Sequence, residues 1–127
     1  MPRAGSRWSN GRITRRSRYA AYLDSVAWRD KRREWYQHWT STQSCAPACM
    51  VGYRWSLRSG HLHHLTYLRL GAEEPEDLIA LCPAHHARLH QVWDCSTQWR
   101  RLGRTAATVG IIAMLRRQLE AADERAS

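Results

Sequence analysis

The chain of 127 residues lacks phenylalanine, has a single lysine at Lys31, and carries 11 acidic residues against 20 basic ones. Without Phe, the large aromatic side chains are seven Trp and five Tyr, each with a polar group, so we expect a small hydrophobic core. No run approaches the ~18 consecutive apolar residues of a membrane-spanning helix, and no apolar segment typical of a secretory signal follows the N-terminus. These absences predict a cytoplasmic protein that does not enter a membrane.

The charge is strongly positive, with a formal net charge of +9 and a pI near 10.3. All basic residues except Lys31 are arginines, and the guanidinium group stays charged and binds phosphate through two hydrogen bonds. The excess therefore suits a polyanionic partner. Six arginines and no acidic residue lie within residues 1–18, a composition that buries little apolar surface and predicts a flexible basic arm.

Three segments after this arm have the apolar periodicity of helices. They cover residues 26–39, 83–93 and roughly 105–123. Asp24 or Ser25 is a candidate N-cap for the first of these helices, which is amphipathic. Ahead of the second helix, residues 53–58 alternate polar and apolar side chains, and Ser59 and Gly60 form a strong turn signal. Residues 61–65 would return as the second strand of a short β-hairpin.

Six of the seven histidines lie between residues 61 and 90. His86 and His90 are four residues apart on a predicted helix, so their imidazoles project from one face and can share one ion. His63 and His64 are neighbours on a predicted strand and therefore point to opposite faces. One of this pair can complete a metal site with the helix histidines, which leaves the other free to act as a base.

The cysteines indicate a second metal site. Cys45 and Cys49 are separated by three residues, and Cys82 and His85 by two, which is close to the spacing of structural zinc ligands. Because no export signal is evident, metal binding is favoured over a disulfide framework. Cys95 is an alternative to His85 as the fourth ligand, and both choices stay open.

The segment from His63 through Asp77 and Leu78 to Cys82 and His90 resembles the HNH endonucleases, which have a ββα-metal fold. The resemblance covers residues 45–90 and extends upstream to a helix like that found in phage and bacterial members of the family. It implies a small α+β fold with a ββα-metal core, a short β-hairpin and a preceding amphipathic helix, and the C-terminal helix predicted from periodicity lies outside the resemblance. We therefore divide the chain into three parts: a basic arm over 1–18, a nuclease domain over 19–95 with its core at 45–92, and a C-terminal helical extension over 96–127.

The resemblance also implies roles for individual residues. His63, His86 and His90 match the ligands of one divalent catalytic ion, which could be Zn, Ni, Mn or Mg, and His64 matches the general base. Asp77 stands where the family has an Asn that orients the base. A carboxylate can accept hydrogen bonds there but cannot donate them as Asn does.

The resulting expectation is a metal-dependent endonuclease that hydrolyses phosphodiester bonds of duplex DNA with weak sequence preference. Candidate phosphate contacts are Arg54, Arg58, Arg69 and Arg88, which lie near the motif. A non-catalytic, zinc-containing DNA-binding module is an alternative. Another is a subunit of a phage DNA-packaging or processing complex that docks through the C-terminal helix, and a phage-encoded protein acting in a bacterial host fits either setting.

Overall fold

The computed structural model describes residues 14–52 and 54–126, which form a small α+β fold. Five α-helices and two strands follow in order: α1 (Arg15–Leu23), α2 (Val26–Thr42), β1 (His61–His64), β2 (Leu78–Leu81), α3 (Pro83–Asp94), α4 (Thr97–Arg101) and α5 (Arg104–Ala126). A single 3-10 turn at Pro75–Asp77 leads into β2. The strands pair antiparallel, with His61 opposite Leu81 and His64 opposite Leu78. The α+β class is therefore confirmed.

The three predicted helices are present. Of the two candidate N-caps of α2, Ser25 is the one that caps the helix. It accepts a hydrogen bond from the backbone N–H of Trp28 at 3.1 Å. Cys82 caps α3, and Pro83 occupies its first turn, where the missing N–H costs no helical hydrogen bond. Helix α5 is longer than predicted at both ends, and the short α4 before it was not predicted.

Helix α1 corrects the predicted boundary of the basic arm. Thr14 accepts a hydrogen bond from the backbone N–H of Ser17 at 3.1 Å, and the helix begins at Arg15. The prediction of a flexible arm is therefore wrong for residues 14–18, because a local cap and the docking of the tyrosines that follow order this segment. The rest of the predicted arm, residues 1–13, lies outside the described residues.

The predicted hairpin between residues 53–58 and 61–65 is also wrong, since β1 pairs with β2 instead. The segment before β1 is a turn built around Trp55, whose Nε1 donates to the His61 carbonyl at 2.8 Å. The indole covers Gly60 so closely that a Cβ there would lie 2.2 Å from Trp55 Nε1. Burial of this large ring outweighs the strand preference of its alternating neighbours.

Two hydrophobic clusters form the core. One joins α3 and α5 and consists of Cys49, Val51, Leu81, Cys82, Leu89, Ile111, Ile112 and Leu115. The other joins α2 to the sheet and consists of Trp28, Trp35, Trp55, Leu62, Leu78 and Ala80. The predicted C-terminal extension thus packs against the predicted nuclease domain through α5, while its docking to a partner stays a prediction. Among the described residues, no helix has the length and apolarity needed to cross a membrane.

Candidate metal centre

The histidines of β1 and α3 come together as the spacing predicts. His63 Nδ1 lies 3.3 Å from His86 Nε2, which lies 3.2 Å from His90 Nε2. A tetrahedral ion with Zn–N bonds of about 2.05 Å separates its ligand nitrogens by about 3.3 Å. Three imidazole nitrogens facing one another at this spacing fit a single divalent cation.

The surroundings keep these three imidazoles neutral, which is the form that binds a metal. Burial, together with the charge of Arg104, lowers the pKa of His63 to about 2. Burial and the neighbouring His90 lower the pKa of His86 to about 4. Burial also lowers the pKa of His90. The cluster is therefore unprotonated at neutral pH.

Two further side chains contact the outer nitrogens of these ligands. His63 Nε2 lies 3.2 Å from Thr108 Oγ1 on α5, and His86 Nδ1 lies 2.8 Å from His61 Nδ1. Such contacts fix the ring orientation and tautomer of a ligating histidine. Neither residue was predicted as part of the site. Alternation along β1 places His61 on the same face as His63 and would have identified it, whereas no local signal points to Thr108.

His64 lies on the opposite face of β1, as predicted. Its side chain is fully buried, and the ring of Trp28 stacks on it at 5.0 Å between centroids. Its Nε2 lies 2.7 Å from Glu73 Oε2, and its Nδ1 lies 3.2 Å from the hydroxyl of Tyr19 on α1. Arg104 Nε donates to the His64 carbonyl at 2.7 Å. Both ring nitrogens therefore have protein partners.

Glu73 is a buried carboxylate that was not predicted as a site residue. Its Oε1 accepts hydrogen bonds from the Tyr22 hydroxyl at 2.7 Å and from the Gly71 backbone N–H at 3.2 Å. Burial alone would raise the pKa of Glu73, but the hydrogen bonds from His64 and Tyr22 together lower it. Burial lowers the pKa of His64 despite the adjacent carboxylate. The pair is thus a neutral imidazole beside a charged carboxylate.

Asp77 holds the loop between the two strands and lies outside the histidine cluster. Its carboxylate accepts hydrogen bonds from the Glu74 backbone N–H at 2.9 Å, from Arg69 Nε at 2.8 Å and from Arg69 Nη2. This ion pair lowers the pKa of Asp77. The Asp77 carbonyl accepts the Leu65 N–H at 2.8 Å, directly after His64. Arg69, predicted to contact phosphate, is therefore engaged within the protein.

A second cluster contains Cys49, Cys82 and His85, whose ligand atoms all lie within 4.8 Å of one another. The Nδ1 of His85 is 3.6 Å from Cys49 Sγ and 3.4 Å from Cys82 Sγ. Ligand sulfur and nitrogen at a tetrahedral zinc ion are separated by about 3.6 Å, so these three residues fit zinc. Cys45 and Cys95 are both exposed and lie outside the cluster.

For the other three arginines that were predicted to contact phosphate, the contact stays a prediction. Arg54, Arg58 and Arg88 are exposed. A groove along α1 is lined by Arg15, Arg16, Arg18, Tyr19, Tyr67 and Leu70. Arg104 stacks over the Tyr67 ring at 4.2 Å. Because Tyr19 also contacts His64, this unpredicted groove borders His64.

Comparison with known proteins identifies no relative. No family model matches the chain, and no curated protein or solved structure does. The function is therefore inferred from the two clusters and the surfaces around them.

Proposed function

We propose that the chain is a metal-dependent endonuclease of the HNH type that hydrolyses phosphodiester bonds of DNA. The observation that carries the proposal is that two adjacent histidines, His63 and His64, have different surroundings. The first joins a cluster of three imidazoles at the spacing of a tetrahedral ion, and the second is held outside it by Glu73. A metal site with a structural role alone would not require His64 beside the ligand His63.

The order of elements supports the same conclusion. The ligand His63 lies on β1, β2 pairs with that strand, and α3 follows immediately with the other two ligands. This order favours a ββα-metal motif, in which strand and helix together would hold the ion. The Cys49, Cys82 and His85 cluster, at the N-terminus of α3, would hold a structural zinc ion that fixes the helix against the core.

The chain supplies the groups for hydrolysis. A divalent ion on the three histidines would stabilise negative charge on the phosphate and on the departing 3′ oxygen. His64 takes a proton from water, the water oxygen bonds to phosphorus, and the bond to the 3′ oxygen breaks. A 5′-phosphate and a 3′-hydroxyl result, the latter after proton uptake from solvent. Since the Tyr19 hydroxyl lies against His64 Nδ1, the Tyr19 side chain must move before water reaches this nitrogen.

The charge and the groove favour a nucleic-acid backbone as substrate. Three arginines of α1 lie beside Tyr19 and Tyr67: Arg15, Arg16 and Arg18. Phosphates bound there would lie close to His64, the proposed general base. These three arginines are exposed, so they are accessible to DNA. Contacts of this kind are made to phosphates and do not distinguish bases, which predicts weak sequence preference.

Incubation of purified protein with supercoiled plasmid and a series of divalent ions tests the proposal. We expect nicking or linearisation by the wild type, none by His64→Ala, and equal metal content in both proteins. His38→Ala, which changes an exposed histidine of α2, is the matched control and should cleave normally. Cleavage by His64→Ala at the wild-type rate would refute the assignment.

A second candidate is a non-catalytic, zinc-containing DNA-binding module, which the complete burial of His64 favours. The same preparation distinguishes the two functions. Retarded migration of DNA in a gel, with no cleavage under any ion, would support the module and exclude the nuclease.

A further inference from the structure

We propose that Glu73 is a positioning residue for His64: it fixes the tautomer that carries hydrogen on Nε2 and leaves Nδ1 as the proton acceptor. This inference rests on the proposed function for its kinetic consequence. The positioning itself is inferred from two buried side chains, with His64 Nε2 2.7 Å from Glu73 Oε2.

For a neutral imidazole, the hydrogen-bond geometry allows one assignment of the protons. A charged carboxylate is only an acceptor, so Nε2 of His64 must carry the hydrogen that lies between it and Glu73 Oε2. Nδ1 then holds the lone pair and accepts the hydrogen of the Tyr19 hydroxyl at 3.2 Å. Burial raises the pKa of Tyr19, which keeps that phenol protonated and consistent with a donor role.

The other oxygen of Glu73 is held equally firmly. Tyr22 donates to Oε1 at 2.7 Å and the Gly71 N–H donates at 3.2 Å. The carboxylate is therefore fixed from three directions and cannot turn away from the imidazole. Once His64 has taken a proton, the same negative charge stabilises the imidazolium that forms. Glu73 acts through His64 and does not contact substrate.

Replacement of Glu73 tests the assignment. Glu73→Gln keeps the size but removes the charge, and its amide can donate to Nε2, which stabilises the opposite tautomer. We expect kcat for plasmid cleavage to fall by roughly 10²-fold to 10⁴-fold with KM unchanged. Glu73→Asp should recover part of this loss, because it restores the charge. Glu76→Gln, on the exposed side of the following turn, is the matched control.

A spectroscopic measurement makes the test independent of cleavage. Two-bond ¹H–¹⁵N correlations of the full chain, with the His64 signals identified by their absence in His64→Ala, report which ring nitrogen carries hydrogen. We expect hydrogen on Nε2 in the wild type and a shift towards Nδ1 in Glu73→Gln. Tyr22→Phe, which removes one of the two hydrogen bonds to Glu73 Oε1, serves as the second variant if Glu73→Gln does not fold, and should lower kcat by a smaller factor.

The outcomes separate the two proposals. Hydrogen on Nδ1 in the wild type, or a folded Glu73→Gln with unchanged kcat, would overturn the role of Glu73. A wild type that cleaves no DNA but carries hydrogen on Nε2, lost in Glu73→Gln, would refute the nuclease and leave the positioning role in place.

Discussion

Thr108 offers a direct test of how α5 supports the histidine cluster. Its hydroxyl lies 3.2 Å from His63 Nε2, and the side chain is 1% exposed. If His63 binds the ion through Nδ1, its Nε2 carries hydrogen and donates to this hydroxyl. Thr108→Val keeps the shape of the side chain and leaves that buried N–H without an acceptor.

The magnitude follows from two independent estimates. Loss of a hydrogen bond to the outer nitrogen of a metal ligand lowers metal affinity by about 10-fold to 100-fold, which equals about 1.4 to 2.8 kcal/mol. A buried donor without a partner costs about 1 to 3 kcal/mol. We therefore expect Thr108→Val to weaken the histidine site by at least about 10-fold.

Titration with cobalt measures this effect. Cobalt bound at the cysteine cluster is recognised by its thiolate-to-cobalt absorption, so cobalt that binds without this absorption reports the affinity of the histidine site. Thr105→Val is the matched control, because Thr105 lies on the same helix but donates to the Leu65 carbonyl at 2.9 Å. Equal affinity of Thr108→Val and wild type, or an equal loss in Thr105→Val, would refute the reasoning.

Three further predictions concern stability. Cys82→Ser should lower the melting temperature sharply, because a structural zinc ion contributes on the order of 10 kcal/mol to folding in zinc peptides; a wild-type melting temperature unchanged by chelator would contradict it. Asp77→Asn removes the ion pair with Arg69. Because the pKa of Asp77 is lowered in the folded state, the pair stabilises the fold above the unfolded pKa of about 3.9, and the stabilisation is lost as pH falls through the folded value. Denaturant unfolding should show the variant less stable at pH 7, and a difference just as large at pH 2 would count against the ion pair. Gly60→Ala should cost about 1 to 3 kcal/mol in urea unfolding, because the new Cβ displaces the Trp55 ring; an unchanged midpoint would show that the ring can move freely.

The histidine cluster was predictable because local rules determine it. The i,i+4 relation places His86 and His90 on one helix face, and strand alternation separates His63 from His64. Neither rule depends on how distant parts of the chain pack. The same is true of the caps at Ser25 and of the start of α3.

The side chains around that cluster were not predictable in this way. Thr108 lies 45 residues from His63, and Tyr19 lies 45 residues from His64. Only the packing of α1 and α5 on the sheet brings these groups to the histidines. The hairpin failed for a related reason, since the alternation of residues 53–58 does not reveal that Trp55 buries its ring against Gly60. Periodicity identifies an element but does not identify its partner.

Helix α3 serves both clusters with consecutive residues, since His85 faces the cysteines and His86 faces the other histidines. Successive helical residues are turned by about 100°, so one inserted or deleted residue between Cys82 and His86 would rotate the downstream ligands away from their partners. Substitution at the exposed Ala87 or Arg88 leaves that rotation unchanged. During evolution the exposed residues of this helix can therefore be substituted freely, whereas selection would remove insertions and deletions within its first turn.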